Sequence, residues 1–354
     1  MTMNDETWMR RAIELARKGQ GLVSPGAMVG CVVVNSGKVV GEGFYAWDGV
    51  KHAEVLALEQ AGEAARGAAV YVSLEPCSHH GRTPPCVEAL IQAGVARVVA
   101  AIEDPFQEVK GRGMEALRKA GVEVACGALA GEATRMNEAF IHCTSNGRPF
   151  GLLKVAMSLD GKIATMAGES RWITSEDSRR IVHGLRHASD ALMSGSGTIL
   201  EDDPRLTDRS GMPRRRPLLR VILDRRGRMH QGLQVFDDTG VLVYTQVRHL
   251  DLPRPHEAAV GITQLPDIAR DLARRGIQSF MLECGPDLAF DAIQSGIIDK
   301  LVVFLAPRII GGREIPGFGG NGAAKLSDAF NISDWSVQPV GPDLMVTGYV
   351  HRDH

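Results

Sequence analysis

Three residues far apart along this chain, His52, Cys77 and Cys86, must be brought to one point by any fold that uses its two most distinctive stretches. One stretch is His52-Ala53-Glu54. The other is Pro76-Cys77-Ser78-His79-His80-Gly81-Arg82-Thr83-Pro84-Pro85-Cys86. One imidazole and two thiolates make three zinc ligands and leave a fourth position for water. A catalytic zinc is held this way, whereas a structural zinc has all four positions closed. Glu54 stands two residues beyond the first ligand, near enough to handle protons without binding the metal. Attack of activated water on an amino-bearing ring carbon, with a Glu shuttling protons, is zinc-deaminase chemistry.

The spacing of apolar residues predicts a helix over 8–18, capped by Asp5 or Thr7, then a hairpin of strands 29–34 and 38–42 turning at Asn35-Ser36-Gly37. A helix over 52–61, a strand over 69–74, a helix from Cys86 to Ala93 and a strand over 97–102 follow. A helix at 114–120 and a strand at 122–126 complete the run. Strands alternating with helices imply a layered α/β sheet. The layout puts His52 and Glu54 in the first turn of one helix, and Cys77 and Cys86 beside the start of the next. Free N–H groups and partial positive charge at helix N-termini suit thiolates there. The polar, turn-rich stretch Thr144 to Pro149 marks a domain boundary, giving domains at 1–146 and 147–354. A second α/β pattern follows it. Strands are expected at 151–157, 190–194, 218–223, 241–245, 279–283 and 301–305, and helices at 175–187, 266–275 and 287–293.

Size agrees with two domains, since one core rarely grows past about 250–300 residues and this chain has 354. A formal net charge of -2 gives no global attraction to nucleic acid or to an anionic membrane. The longest apolar runs, such as Val29 to Val34, are too short to span a bilayer. The acidic start, Met1-Thr2-Met3-Asn4-Asp5-Glu6, lacks the layout of a signal peptide. These features point to a cytoplasmic protein with neither nucleic-acid nor membrane partners. Six cysteines, two of them at ligand-like spacing, do not suggest a disulfide scaffold.

His-x-Glu alone is a weak motif, and so is a Pro-Cys with a second Cys downstream. In this order, each opening a helix after a strand, they are specific. The competing reading is a buried His and two small apolar Cys. Nucleic-acid deaminases separate the two cysteines by two residues; here eight intervene, and the inserted loop has room for substrate contacts.

The run Pro-Cys-Ser-His-x-Gly-Arg-Thr-Pro-Pro-Cys with His-Ala-Glu upstream resembles the deaminase half of the bifunctional riboflavin-biosynthesis deaminase/reductases, as do Val29-Gly30-Cys31-Val32 and Gly41-Glu42-Gly43. The resemblance implies a cytidine-deaminase-like three-layer α/β/α domain in which His52, Cys77 and Cys86 bind Zn2+ and Glu54 is the catalytic proton shuttle. It implies deamination of 2,5-diamino-6-ribosylamino-4(3H)-pyrimidinone 5′-phosphate with release of ammonia. The chain departs from the family at three substrate-side places. Ser24-Pro25-Gly26-Ala27-Met28 lacks the usual Asn, Tyr45 replaces a His, and Asp104-Pro105-Phe106-Gln107 replaces Asp-Pro-Asn-Pro. A site built to hydrogen-bond a polar substrate loses affinity when a partner is missing. An active reductase joined to a deaminase of altered substrate or reduced activity is therefore the alternative.

The second half resembles the family's reductase, which implies a dihydrofolate-reductase-like α/β domain that uses NADPH. The likeness rests on Leu153 to Ala164, Ser170-Arg171-Trp172-Ile173-Thr174, Gly195-Ser196-Gly197-Thr198, Asp202 to Arg209 and Leu282-Glu283-Cys284-Gly285-Pro286. Gly195-Ser196-Gly197-Thr198 after a strand allows close backbone approach to a cofactor phosphate, and position 200 is Leu, which disfavours a Rossmann fingerprint. Gly285 offers a second phosphate site, and Arg186 and Arg209 suit a substrate phosphate. By resemblance, Ala156, Trp172, Thr198, Asp202 and the segment from Gly285 contact NADPH. Ser170, Arg186, Leu206, Arg209 and Glu283 face substrate. Asp202 is a candidate for proton movement, against the plainer reading of Asp202-Asp203 as a helix end. The reaction implied is hydride transfer to the ring-opened ribosylamine. Cys284 stands where the family has Gly and either crowds the cofactor or points away. His183 and His187 read as ordinary surface or interface residues, Arg214 to Arg216 as a solvated loop, and Cys31, Cys126 and Cys143 as core. Family likeness favours a homo-oligomer, dimer or tetramer, built through the reductase half.

Overall fold

The structure, a computed structural model, describes residues 3–106, 109–238, 240–248, 252–253, 255–313 and 315–351. Met1, Thr2 and Gln107, which figure in the sequence reading, lie outside these. The chain divides into two units, Met1–Gly147 and Arg148–His354.

The first unit runs α1 (Met3–Arg17), β1 (Gly30–Asn35), β2 (Lys38–Phe44), α2 (Ala53–Ala61), β3 (Ala69–Val72), α3 (Cys86–Gln92), β4 (Arg97–Ala100), α4 (Arg112–Lys119), β5 (Glu123–Cys126), α5 (Ala130–Met136) and α6 (Glu138–Asn146). Its sheet has the order β2-β1-β3-β4-β5, antiparallel from β2 to β3 and parallel from β3 to β5. The β1–β2 hairpin turns at Ser36 and Gly37, both at positive φ, the conformation whose twist suits a two-residue hairpin loop. Strand side chains alternate between faces. Cys31, Val33, Val70 and Val72 pack with α2, α3 and α4, while Val32, Val34, Tyr71 and Val99 pack with α1 and α5. Each fully buried valine or leucine contributes about 1.5–3 kcal/mol, and the two apolar faces force helices onto both sides of the sheet. The result is the α/β/α sandwich that the sequence implied.

The helix predicted over 8–18 starts earlier, at Met3. Asp5 therefore does not cap it. Its buried carboxylate accepts from the Tyr71 hydroxyl at 3.0 Å and pairs with Arg97 at 2.6 Å, a tertiary bond that a local capping rule does not foresee. The turn-rich reading of Thr144-Ser145-Asn146 is also corrected. These residues form the last turn of α6, which stops at Gly147 in the left-handed conformation.

The second unit runs β6 (Phe150–Ser158), α7 (Glu176–Ala188), β7 (Ala191–Gly195), α8 (Ser196–Asp202), β8 (Leu219–Leu223), β9 (Val241–Thr245), β10 (Glu257–Val260), α9 (Leu265–Arg274), β11 (Ser279–Leu282), α10 (Pro286–Gln294), β12 (Lys300–Ala306), β13 (Asn331–Val340) and β14 (Asp343–His351). Its sheet has the order β10-β9-β8-β7-β11-β6-β12-β14-β13. Strands β10 to β12 are parallel, and β14 and β13 join antiparallel. The near-continuous apolar runs of the inner strands are what a sheet covered on both faces requires. Helices α9 and α10 cover one face, and α7, α8 and the 229–236 segment cover the other. Strands β10, β13 and β14 go beyond what the apolar pattern predicts. Their sequences are mixed, and β13 alternates Trp335, Val337 and Pro339 over only a short run and is exposed along nearly its whole length, so its pattern does not mark a core strand. Among the described residues, no helix is long and apolar enough to cross a membrane.

Candidate active sites

In the first unit the three candidate metal ligands arrive from three places. His52 is the N-cap of α2, Cys77 lies in the loop after β3, and Cys86 is the first residue of α3. Glycines let α2 approach the sheet closely enough for this. A Cβ on Gly41 would stand 2.0 Å from the Ala57 carbonyl oxygen, and one on Gly43 would stand 2.3 Å from that of Ala53. Nδ1 of His52 lies 3.2 Å from Cys86 Sγ and 3.5 Å from Cys77 Sγ, and all three ligand atoms fall within 4.8 Å of one another. Tetrahedral zinc with bonds of about 2.05 Å to N and 2.3 Å to S requires an N···S separation of about 3.6 Å. The donor set therefore fits zinc in both chemistry and spacing. Among the described residues no other His, Cys, Asp or Glu joins it, and His79 and His80 are exposed.

The surroundings favour thiolate. The backbone N–H of Cys86 donates to Cys77 Sγ at 3.3 Å. Cys77 is drawn well down by its bonds with Cys86 and His52, despite burial. Cys86, which keeps the proton of that bond and is itself buried, is driven up. A divalent ion held here would take both sulfurs as thiolates in place of that proton. His52 Nε2 faces Thr83 Oγ1 at 3.5 Å, so the inserted loop supplies an outer neighbour for the imidazole. Glu54 is buried in the first turn of α2. Burial, then the charge on Cys77, push its carboxyl up to about 7.

Two of the three departures meet in space. A Cβ on Gly26 would lie 3.1 Å from the Tyr45 ring and 3.5 Å from that of Trp47. Tyr45 in turn packs edge-on to His52, with centroids 5.4 Å apart, and Arg82 stacks over Trp47 at 4.6 Å. An aromatic ring thus fills the place of a side chain at 26. Phe106, the third departure, is half exposed and packs on Phe140.

In the second unit a cleft of about 520 Å³ opens at the C-terminal ends of β7, β8 and β11. Gly195, Thr198 and Gly285 line it, as the sequence suggests. A Cβ on Gly197 or Gly285 would meet nothing within 4 Å, so the bare backbone leaves space for a ligand's phosphates. Arg225, Arg226 and Arg228 also line the cleft. Sequence reasoning misses them, because they follow β8 without any motif. Arg228 donates to Ser196 Oγ at 2.8 Å. Cys284 lies outside the cleft lining and packs against the core, which settles its direction.

Glu283 is largely buried between two cations, with Lys154 Nζ and Arg186 Nε each 2.7 Å away. Burial pushes its carboxyl up, but Lys154 and Arg186 outweigh burial and hold it at about 2. Lys154 lies within the Leu153 to Ala164 stretch, yet its position in sequence gives it no role of its own. Arg186 also donates to the Thr207 carbonyl, and Arg209 donates to the Thr207 hydroxyl, so Arg186, Arg209 and Glu283 form one neighbourhood. Leu206 is buried beside it at positive φ. Asp202 ends α8, and its carbonyl accepts from Arg171. Trp172 is largely exposed under the Arg179 guanidinium. Ser170 is half-buried in the segment before α7, and Ala156 is half-buried on β6. None of Ala156, Ser170, Trp172 and Asp202 lines the cleft.

Two of the lesser readings are overturned. His187 is buried, with Nδ1 2.9 Å from an Asp208 carboxylate oxygen. Arg214 is no solvated loop residue: it donates to the carbonyls of Arg186, His187 and Ser189, capping the C-terminal end of α7.

Comparisons with known proteins agree across both units. Residues 2–102 match the family described as the cytidine and deoxycytidylate deaminase zinc-binding region, and residues 149–346 match the RibD C-terminal domain. The riboflavin biosynthesis protein RibD of Escherichia coli (strain K12) is 39% identical over 365 residues, covering 97% of this chain and 98% of that protein. A crystal structure of a diaminohydroxyphosphoribosylaminopyrimidine deaminase/5-amino-6-(5-phosphoribosylamino)uracil reductase from Thermotoga maritima superimposes with a TM-score of 0.90 at 36% identity, over 98% of this chain and 99% of that one. Acinetobacter baumannii RibD, form 1, gives a TM-score of 0.89 at 35% identity, over 99% of each chain.

Proposed function

Because this chain belongs to the RibD family of riboflavin-biosynthesis deaminase/reductases, we propose how its two units divide the work. The protein is a bifunctional enzyme acting on the pyrimidine intermediate of that pathway. The observation that carries the deaminase assignment is the convergence of His52, Cys77 and Cys86 at zinc spacing, with Glu54 buried beside them.

In the first unit His52, Cys77 and Cys86 hold zinc. When bound, zinc supplies Lewis-acid activation of water. Glu54 takes a proton from the attacking water and delivers it to the departing nitrogen, so that the amino group of 2,5-diamino-6-ribosylamino-4(3H)-pyrimidinone 5′-phosphate leaves as ammonia and a carbonyl remains. Tyr45 and Trp47 wall the site where other family members place an Asn and a His.

In the second unit NADPH is the cofactor, and it supplies a hydride when bound. Gly197 and Gly285 give its phosphates close backbone approach, and Thr198 adds a hydroxyl. Arg225 and Arg226, exposed on the cleft and without an acidic partner among the described residues, supply positive charge. By likeness to the family, Ala156, Trp172 and Asp202, which lie outside the cleft lining, contact the cofactor beyond the phosphate end, and Asp202 assists proton movement. Ser170, Arg186, Leu206, Arg209 and Glu283 face the substrate, with Arg209 the cation most available to its 5′-phosphate. Lys154 and Arg186 keep Glu283 ionised.

The substrates are small molecules and not nucleic acid. Six free cysteines, two of them metal ligands, suit the reducing cytoplasm. A homo-oligomer forms through the exposed strand β13.

Glu54→Gln tests the division of labour. The zinc-loaded variant should retain its metal and lose ammonia release by about 10²–10⁴-fold, while NADPH oxidation on pre-deaminated substrate continues at the wild-type rate. Ammonia release unchanged in that variant would remove Glu54 from the mechanism, and loss of both activities in a folded protein would contradict independent sites.

A further inference from the structure

Two residues before Cys77 stands a carboxylate that the chemistry above does not use. Glu75 is buried, 3% exposed. Its Oε1 accepts from the backbone N–H of Gly113 at 2.9 Å and Met114 at 3.2 Å. Its Oε2 accepts from Gly111 at 2.9 Å and Asp104 at 3.1 Å. Gly111, Gly113 and Met114 are the N-cap and first turn of α4, and among the described residues no cation pairs with the carboxylate. A fully buried charge held only by four amide donors is costly to place and costly to disturb.

The contact continues into the next residue. A Cβ on Gly113 would stand 2.0 Å from the Pro76 carbonyl oxygen, so the start of α4 lies flush against the backbone that leads into Cys77. On its other side Cys77 is tied to α3, where its carbonyl accepts from Val87 N–H and its sulfur from Cys86 N–H. Cys77 is thus gripped from both sides, by α3 directly and by α4 through Glu75. The same carboxylate fixes Asp104, whose side chain accepts from Phe106 N–H, so the altered substrate-side segment shares the grip.

We infer that Glu75 is a positioning residue for the metal: through four backbone hydrogen bonds it sets the Cys77 sulfur and the Asp104–Phe106 segment relative to His52 and Cys86. The inference rests on the zinc reading of that site.

Glu75→Gln keeps the shape but presents an amide NH2 to N–H donors, which leaves two of the four bonds unmade. Gly113→Ala leaves the carboxylate chemically intact but pushes on Pro76, and its methyl would also stand 3.2 Å from Glu75 Oε1. Zinc affinity is measured on the full chain by competition with a chromophoric chelator, and the ligand field is measured from the absorption bands of the cobalt-substituted protein. Both variants should bind zinc about 10–100-fold more weakly, the range typical for groups that orient metal ligands, with displaced cobalt bands. Amide exchange of β1, β3 and β4 should stay at the wild-type level. Wild-type affinity and wild-type cobalt bands in both variants would overturn the inference. So would collapse of amide protection across the sheet, which would make Glu75 a fold residue and no more. A wild-type chain that takes up no zinc would instead sink the metal site itself, a result obtained ahead of either variant.

Discussion

Glu283 shows how much a single side chain in this protein depends on its neighbours. Its carboxyl is held at about 2 by Lys154 and Arg186 against the opposing effect of burial. An unfolded Glu titrates near 4.3, so the folded state prefers the ionised form. The contribution, about 3 kcal/mol, is fully present above the unfolded value. It fades as pH falls from about 4.5 toward about 2. Urea unfolding of wild type and Glu283→Gln at a series of pH values should show a stability gap that is widest near neutrality and narrows through that window. A gap constant from pH 7 to 3 would mean that the three side chains are not linked as described. The pair Gly26 and Tyr45 makes a related point. Read one at a time they are two lost polar groups, yet in the folded protein they are one exchange of positions, with a ring where a side chain would be.

At the scale of elements, helix α2 is placed by absences. It carries His52 at its N-cap and Glu54 in its first turn, and it lies on β2 only because Gly41 and Gly43 have no side chains. Gly43→Ala would bring a methyl group within 2.3 Å of the Ala53 carbonyl, one residue from either functional side chain. That overlap cannot be relieved without shifting the first turn of α2. Misplacing a catalytic group by about 1 Å can cost about 10²-fold in rate. Ammonia release should fall by about that factor, while NADPH oxidation by the second unit is unchanged. A Gly43→Ala enzyme with full deaminase activity would show that α2 has slack the structure does not display. In the sequence these glycines are only part of a resemblance; the close approach is the physical reason they stand there.

For the whole molecule, β13 sets the expectation. It ends the nine-stranded sheet, and Ile332, Trp335 and Val337 on it are exposed, as is Leu344 on β14. Asp334 is its only charged residue. Edge strands of monomeric proteins are usually short or guarded by lysines, prolines or bulges; this one is long, has no lysine, and carries Pro339 and a register shift between Ser333 and Ser336. A two-fold interface built from one such surface against its copy would cover it. Light scattering should find an oligomer, and Trp335→Lys with Val337→Lys should shift it toward monomer while ammonia release from the first unit persists. A monomeric wild type at micromolar concentration would refute this reading.

Much of this protein is legible in its sequence alone: the hairpin, the alternation of strands and helices, the grouping of His52, Cys77 and Cys86, and the glycines that line the cleft. Each of these is written in a short run of residues, because apolar periodicity, turn chemistry and ligand spacing are local properties of a chain. Local order of residues also determined that His52, Cys77 and Cys86 open or precede helices, and so could point to one ion. What only the tertiary structure decided is who meets whom across the sheets: Asp5 with Arg97 and Tyr71, His187 with Asp208 and Arg214, Glu283 with Lys154, and Arg225 and Arg226 with the cleft. Buried charges choose partners by proximity after packing, and packing depends on how every strand is ordered in the sheet, which no single stretch of sequence contains.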